Sequence, residues 1–117
     1  MLYAILCYHD ERIVDAMSKE EDDAVLAKRH RVTDRLAAQG KLGPVARLSL
    51  TPSAMTVRGG AEPVVIDGPF AETKEQLLGF YVVDCASEEE AIDAARAMVG
   101  ETGAMEVRPI RTFRAGN

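Results

Sequence analysis

With 117 residues the chain can build one hydrophobic core, and residues 1–117 read as a single domain. A composition of 47% hydrophobic and 28% charged residues excludes a disordered chain. The net charge of -5, with 14 basic residues against 19 acidic ones, leaves no strong cluster of Lys and Arg to hold phosphates, so no nucleic-acid partner is expected.

The opening run MLYAILCY ends at His9-Asp10-Glu11. It is too short for a membrane span and lacks the basic flank of a signal peptide, so a cytoplasmic chain with no membrane contact is expected. The run reads as a central strand buried on both faces. Cys7 within it and the distant Cys85 read as buried, reduced, unbridged thiols, because their spacing fits neither a metal pair nor a redox motif. Ser18 and Glu21 form a capping box, in which each side chain satisfies the other's free backbone N–H. The helix it opens is predicted to reach Gln39 and stop at Gly40. Val25, Val32 and Leu36 share its core face, flanked by Leu26 and Ala37.

After Gly43-Pro44, the alternation of Ala46, Leu48 and Leu50 predicts a half-buried strand. Thr51-Pro52-Ser53 is a turn, and residues 55–58 and 62–66 around Gly59-Gly60 predict a short hairpin. Leu77–Cys85 predicts a second long strand. Ser87 and Glu90 form another capping box, opening a helix with Ile92, Ala95 and Val99 on its core face. Met105–Phe113 predicts a last strand, which Pro109 places at an edge or a bulge. This βαβ(ββ)βαβ order is expected to fold as an α+β, ferredoxin-like domain, an antiparallel sheet with two helices on one face. The bare face needs a cover, and a second copy of the chain is the expected one.

Asp67-Gly68-Pro69-Phe70-Ala71-Glu72-Thr73-Lys74-Glu75-Gln76 is the most informative stretch. Asp-Gly-Pro is a strong turn signal; Asp67 is placed to accept N–H bonds from the residues after it and to aim Phe70 inward. Thr73 with Gln76 suits the cap of a short helical turn. This stretch, with Gly79-Phe80-Tyr81, the acidic second helix, Tyr8-His9-Asp10-Glu11 and the closing Met105-Glu106-Val107-Arg108-Pro109, resembles the DGPF proteins, a branch of the YCII-related family. The resemblance implies ferredoxin-like subunits paired as a dimeric α/β barrel. Some YCII relatives resemble lyases or dehydrochlorinases that use a His–Asp pair. In many of them the His lies eleven positions before the Gly that ends the first helix. That position here is Arg29, with His30 next, and Met98-Val99-Gly100 replaces the relatives' Asp-Pro, so the pair is not carried over. DGPF proteins are also often encoded beside, or fused to, extracytoplasmic-function sigma factors, which implies a regulatory partner as an alternative.

Arg29 interrupts the apolar stripe of the first helix. Either its stem snorkels to the rim, or its head enters a cleft and meets a carboxylate such as Asp67 or Glu72. His30 and Asp34 share a helix face and suit either a general base with its orienting carboxylate or a solvated pair. His9 closes the first strand beside Asp10. Asp67, Glu72 and Lys74 form the best polar cluster, fit for moving a proton or for bracing the loop. Asp67, Glu72 and His30 are therefore the catalytic candidates, and Arg29, Lys74, Phe70 and His9 the ligand-binding ones. No metal-ligand spacing, GxGxxG, P-loop or nucleophile elbow occurs, so neither a metal nor a cofactor is expected. The function expected is a dimeric small-molecule-binding module, with acid–base lyase or isomerase chemistry if it is an enzyme. The alternative is a non-catalytic regulatory or structural partner.

Overall fold

The computed structural model describes residues 1–116. In chain order the elements are β1 (Leu2–His9), α1 (Glu11–Asp15), α2 (Lys19–Ala38), β2 (Leu42–Arg47), a 3-10 turn (Thr51–Ser53), β3 (Met55–Arg58), β4 (Val64–Asp67), β5 (Gln76–Asp84), α3 (Glu88–Met98) and β6 (Ala104–Pro109). The main sheet has the order β2-β5-β1-β6, with every neighbouring pair antiparallel. β1 and β2 thus run parallel with β5 between them, the split βαβ arrangement compatible with a ferredoxin-like fold. β3 and β4 form a separate two-stranded sheet.

The Ser18–Glu21 capping box opens α2 as the sequence puts it; at α3 Ser87 accepts from the Glu90 amide, but the Glu90 carboxylate accepts from the Ala86 amide instead of closing the expected second box. A third helix, α1, was not expected. Asp10 caps it by accepting from the Arg12 amide, a short-range signal that the reading of residues 9–11 as a strand end passes over. β2 starts before Gly43-Pro44 rather than after it, with a register shift between Leu42 and Val45. Proline is tolerated there because β2 is an edge strand. The other edge is β6, which ends at Pro109, short of the expected Phe113.

Tyr3, Ile5 and Cys7 of β1 and Tyr81 and Val83 of β5 face the helices and pack on Val32 and Leu36 of α2. α3 buries Ala91, Ala94, Ala95 and Met98, not the expected Ile92–Ala95–Val99 stripe. The alanines are small enough to let the helix axis approach the sheet, and Ile92 and Val99 move to the flank. On the opposite face Ala4 and Leu6 lie across from Val82 and Phe80. Val82 is covered by the β2 crossing at Gly43, where a Cβ would come 3.1 Å from its Cγ1. Ala4, Leu6 and Phe80 stay half-buried, so within one chain β1 is fully buried on one face only.

The β3–β4 hairpin exposes apolar side chains along its length, including Met55, Val57, Val64, Val65 and Ile66. The radius of gyration, 15.7 Å, exceeds the roughly 13 Å of a compact chain of this length, as a projecting arm requires. The loop after β4 also differs from expectation. Phe70 is 71% exposed rather than aimed inward. The turn is held by Thr56, whose hydroxyl donates to the Gly68 carbonyl at 2.7 Å, and by the Gly68 amide on the Ala54 carbonyl at 2.8 Å. Among the described residues the Asp67 carboxylate accepts no hydrogen bond, because β3 supplies the partners that the local turn was expected to draw from Asp67. Cys7 and Cys85 are free and buried. Cys7 lies opposite Gly79, six residues before Cys85, which follows the end of β5, so roughly 20 Å of extended chain separates the two positions.

Candidate functional site

β1 delivers its last residues, Cys7 to His9, to a cleft of about 620 Å³ roofed by the α1–α2 junction and walled by α2 and residues 47–50. Local chemistry fixes this geometry. The Asp10 cap starts α1 immediately after β1, and the Ser18 capping box restarts the chain as α2, so the two helices meet over the strand end. Glu11 then ties distant segments together. Its carboxylate accepts from the amide and hydroxyl of Thr51, and its own amide donates to Gln76 Oε1 at 2.8 Å. Gln76 Nε2 donates in turn to the Thr73 carbonyl at 2.6 Å, so Gln76 anchors the loop instead of capping a helical turn.

The cations along the cleft differ in their partners. Arg47 is bidentate on Asp22, at 2.6 and 3.2 Å, which holds the Asp22 carboxyl below its ordinary range. Lys28 Nζ donates to the Val99 carbonyl at 2.8 Å, closing the C-terminal end of α3. Lys19 pairs with Asp23 at 2.7 Å. Arg29 has no ion pair among the described residues, and its Nε is buried with no hydrogen-bond partner. It lines both this cleft and a smaller one of about 290 Å³ beside Tyr81. Burial pushes the Cys7 thiol and the Tyr81 hydroxyl up from their ordinary values, and the nearby Arg29 charge opposes that rise at both.

His9 also lines the cleft. Its Nδ1 lies 3.1 Å from the Asp10 carbonyl and its Nε2 lies 2.7 Å from the Thr102 hydroxyl. In the neutral ring Nδ1–H donates to the carbonyl and Nε2 accepts from Thr102. Gly103 makes room for the imidazole: its φ is +85°, and a Cβ there would come 2.6 Å from the ring.

Of the residues expected at a site, the fold brings Arg29 and His9 to the same cleft. His30 is exposed on α2 beside the smaller cleft, and no hydrogen bond joins it to the exposed Asp34 among the described residues. Asp67, Phe70, Glu72 and Lys74 lie on the arm and its following loop, exposed or nearly so, away from the cleft lining. Asp67, Glu72 and Lys74 form no ion pair with one another among the described residues, and neither Asp67 nor Glu72 pairs with Arg29. Sequence reasoning missed Asp22, Arg47, Glu11 and Gln76, which belong to segments up to 65 positions apart and carry no local signature. Among the described residues no three His, Cys, Asp or Glu side chains are grouped to hold a metal ion.

The fold and the cleft together define an α+β domain of ferredoxin-like order whose first strand runs into a polar-anchored cavity. The chain belongs to the YCII-related family: the family model described as YCII-related domain matches residues 1–114. It is 53% identical over 120 residues to an uncharacterized protein of Rhizobium meliloti (strain 1021), covering 99% of this chain and 97% of that one. No helix among the described residues is long and apolar enough to cross a membrane.

Proposed function

We propose that the protein is a homodimeric small-molecule-binding module whose ligand occupies the cleft at the end of β1. The observation that carries this reading is the convergence of Arg29 and His9 on one cavity of about 620 Å³, a volume suited to a metabolite. The half-buried Ala4, Leu6 and Phe80 on the open sheet face support pairing with a second copy, as does the apolar arm. Such pairing should bury on the order of 2,000 Å² in total.

Within one chain the groups available for proton transfer at the cleft differ from those expected. His9 lies in its wall, whereas Asp67, Glu72 and His30 lie off it. An acid–base lyase or isomerase reaction through Asp67 or Glu72 therefore requires a partner subunit's arm to reach the cleft. Binding is the part of the reading that one chain supports.

A thermal-shift screen of small metabolites tests the binding, because any ligand of the native state stabilises it. At a hundredfold excess over its Kd, a ligand adds about 2.7 kcal/mol, a rise of roughly 10 °C for a chain of this size. Val25→Trp, which fills the cleft, should abolish the rise. A rise that survives the filling, or no rise across a broad screen, overturns this site. Sedimentation of a monomer at micromolar concentration overturns the dimer.

A further inference from the structure

We infer that the cleft is built for a monoanionic carboxylate on an apolar body, anchored by the Arg29 guanidinium. This deepens the proposal above and rests on it. The argument begins with the cost of an unpartnered charge. A buried guanidinium is normally paired, and a buried N–H without an acceptor is destabilising. Arg29 lacks both a carboxylate partner among the described residues and an acceptor for Nε. Its neighbours do not supply one. Asp22, the carboxylate close enough to feel the Arg29 charge, gives both oxygens to Arg47. Tyr81, whose hydroxyl lies within hydrogen-bonding reach of Arg29, and Cys7 are neutral groups whose burial favours their protonated forms, so neither supplies the missing negative charge.

The planar fork of arginine matches a carboxylate in two parallel N–H···O bonds. Nε is shielded, so presenting its Nε–Nη edge to the anion requires rotation of the Arg29 side chain. The number of free charges sets the charge of the ligand. Arg47 and Lys19 are paired with carboxylates, Lys28 is held on the Val99 carbonyl, and Asp15 and Glu101 also line the cleft, so a second negative charge meets acidic neighbours. The body of the ligand lies against Val25, Leu48, Leu50, Leu78 and Met98. The Tyr8, Ser18, Ser49 and Thr102 hydroxyls are among the uncharged polar groups that line the cleft.

The test is NMR titration of the full ¹⁵N-labelled protein with benzoate and hexanoate, each against its carboxamide, and with phenyl phosphate. Arg29→Gln assigns the Arg29 Nε–Hε resonance. The carboxylates should move that resonance downfield and shift the Ser49 and Leu50 amides, and the carboxamides should bind at least about tenfold more weakly. Arg29→Gln should weaken the carboxylates by about tenfold to a hundredfold and leave the carboxamides unchanged. Carboxamides binding the cleft as tightly as carboxylates overturn this inference while leaving the cleft a ligand site. Phenyl phosphate binding more tightly than benzoate overturns the monoanion. No response at the cleft to any probe overturns both the inference and the site beneath it. Should Arg29→Gln fail to fold, the wild-type comparison of acid with amide, read at the Ser49 and Leu50 amides, decides the question.

Discussion

Gly79 sits in the middle of β5, between Cys7 of β1 and Arg47 of β2. A Cβ built there would lie 2.8 Å from the Ala46 carbonyl oxygen and 3.5 Å from the Arg47 Cα. Ordinary contact begins near 3.4 Å, so Gly79→Ala forces a displacement of about 0.6 Å onto backbone, which has no rotamer through which to yield. Overpacking of this kind costs about 1–3 kcal/mol, and the intrinsic gain of Ala over Gly in a strand returns about 0.5–1 kcal/mol. The net loss is therefore about 0.5–2 kcal/mol. With an unfolding entropy near 2.1 cal/mol/K per residue, each kcal/mol over 117 residues moves Tm by roughly 4 °C. Differential scanning calorimetry should show a fall of about 2–8 °C. Gly59→Ala is the control: nothing lies within 4 Å of its Cβ, and it should melt within about 2 °C of wild type. Gly79→Ala melting at or above wild type would refute the close approach of β2 to β5.

Three further outcomes follow from the structure. Thr56→Val should lose about 1 kcal/mol in urea unfolding, because it removes the hydrogen bond to the Gly68 carbonyl, while Asp67→Ala should stay within about 0.5 kcal/mol of wild type; the reverse order would restore the turn role expected of Asp67. The Arg12 guanidinium holds the Asp10 carboxyl at about 2, below its ordinary 3.8, so the stability it contributes is present above pH 4 and disappears as pH falls through 2. Tm measured from pH 6 to pH 2 should fall at the acid end, and Asp10→Asn should flatten that limb; an unchanged slope in the variant would exclude the pair as its source. Burial raises both thiols, so neither Cys7 nor Cys85 should react readily with a disulfide reagent at pH 8 until urea opens the chain, when both should; rapid native reaction at either would contradict its burial.

Much of the architecture was legible because it is written locally. The capping box at Ser18, the N-cap at Ser87, the apolar runs of β1 and β5, and Pro109 at an edge are short-range statements, and the backbone obeys them. Apart from α1, whose cap at Asp10 is itself local, errors came where a neighbour distant in sequence decided the outcome. α2 and the sheet chose which face of α3 is buried, β3 took over the turn that Asp67 was expected to hold, and the arm carried Phe70 into solvent. The candidate site divides in the same way. Arg29 stood out in the sequence as a charge within an apolar stripe, and His9 as a strand end, and these two reach the cleft. That Asp22 would neutralise Arg47 and leave Arg29 unpaired depends on α2 crossing β2, a contact between residues 25 positions apart. Sequence alone determined the starts of α2 and α3, the strand content and the family. Tertiary structure alone decided that, among the described residues, Arg47 is paired at the cleft and Arg29 is not, because pairing is set by distance in space and periodicity encodes only the face on which a residue lies.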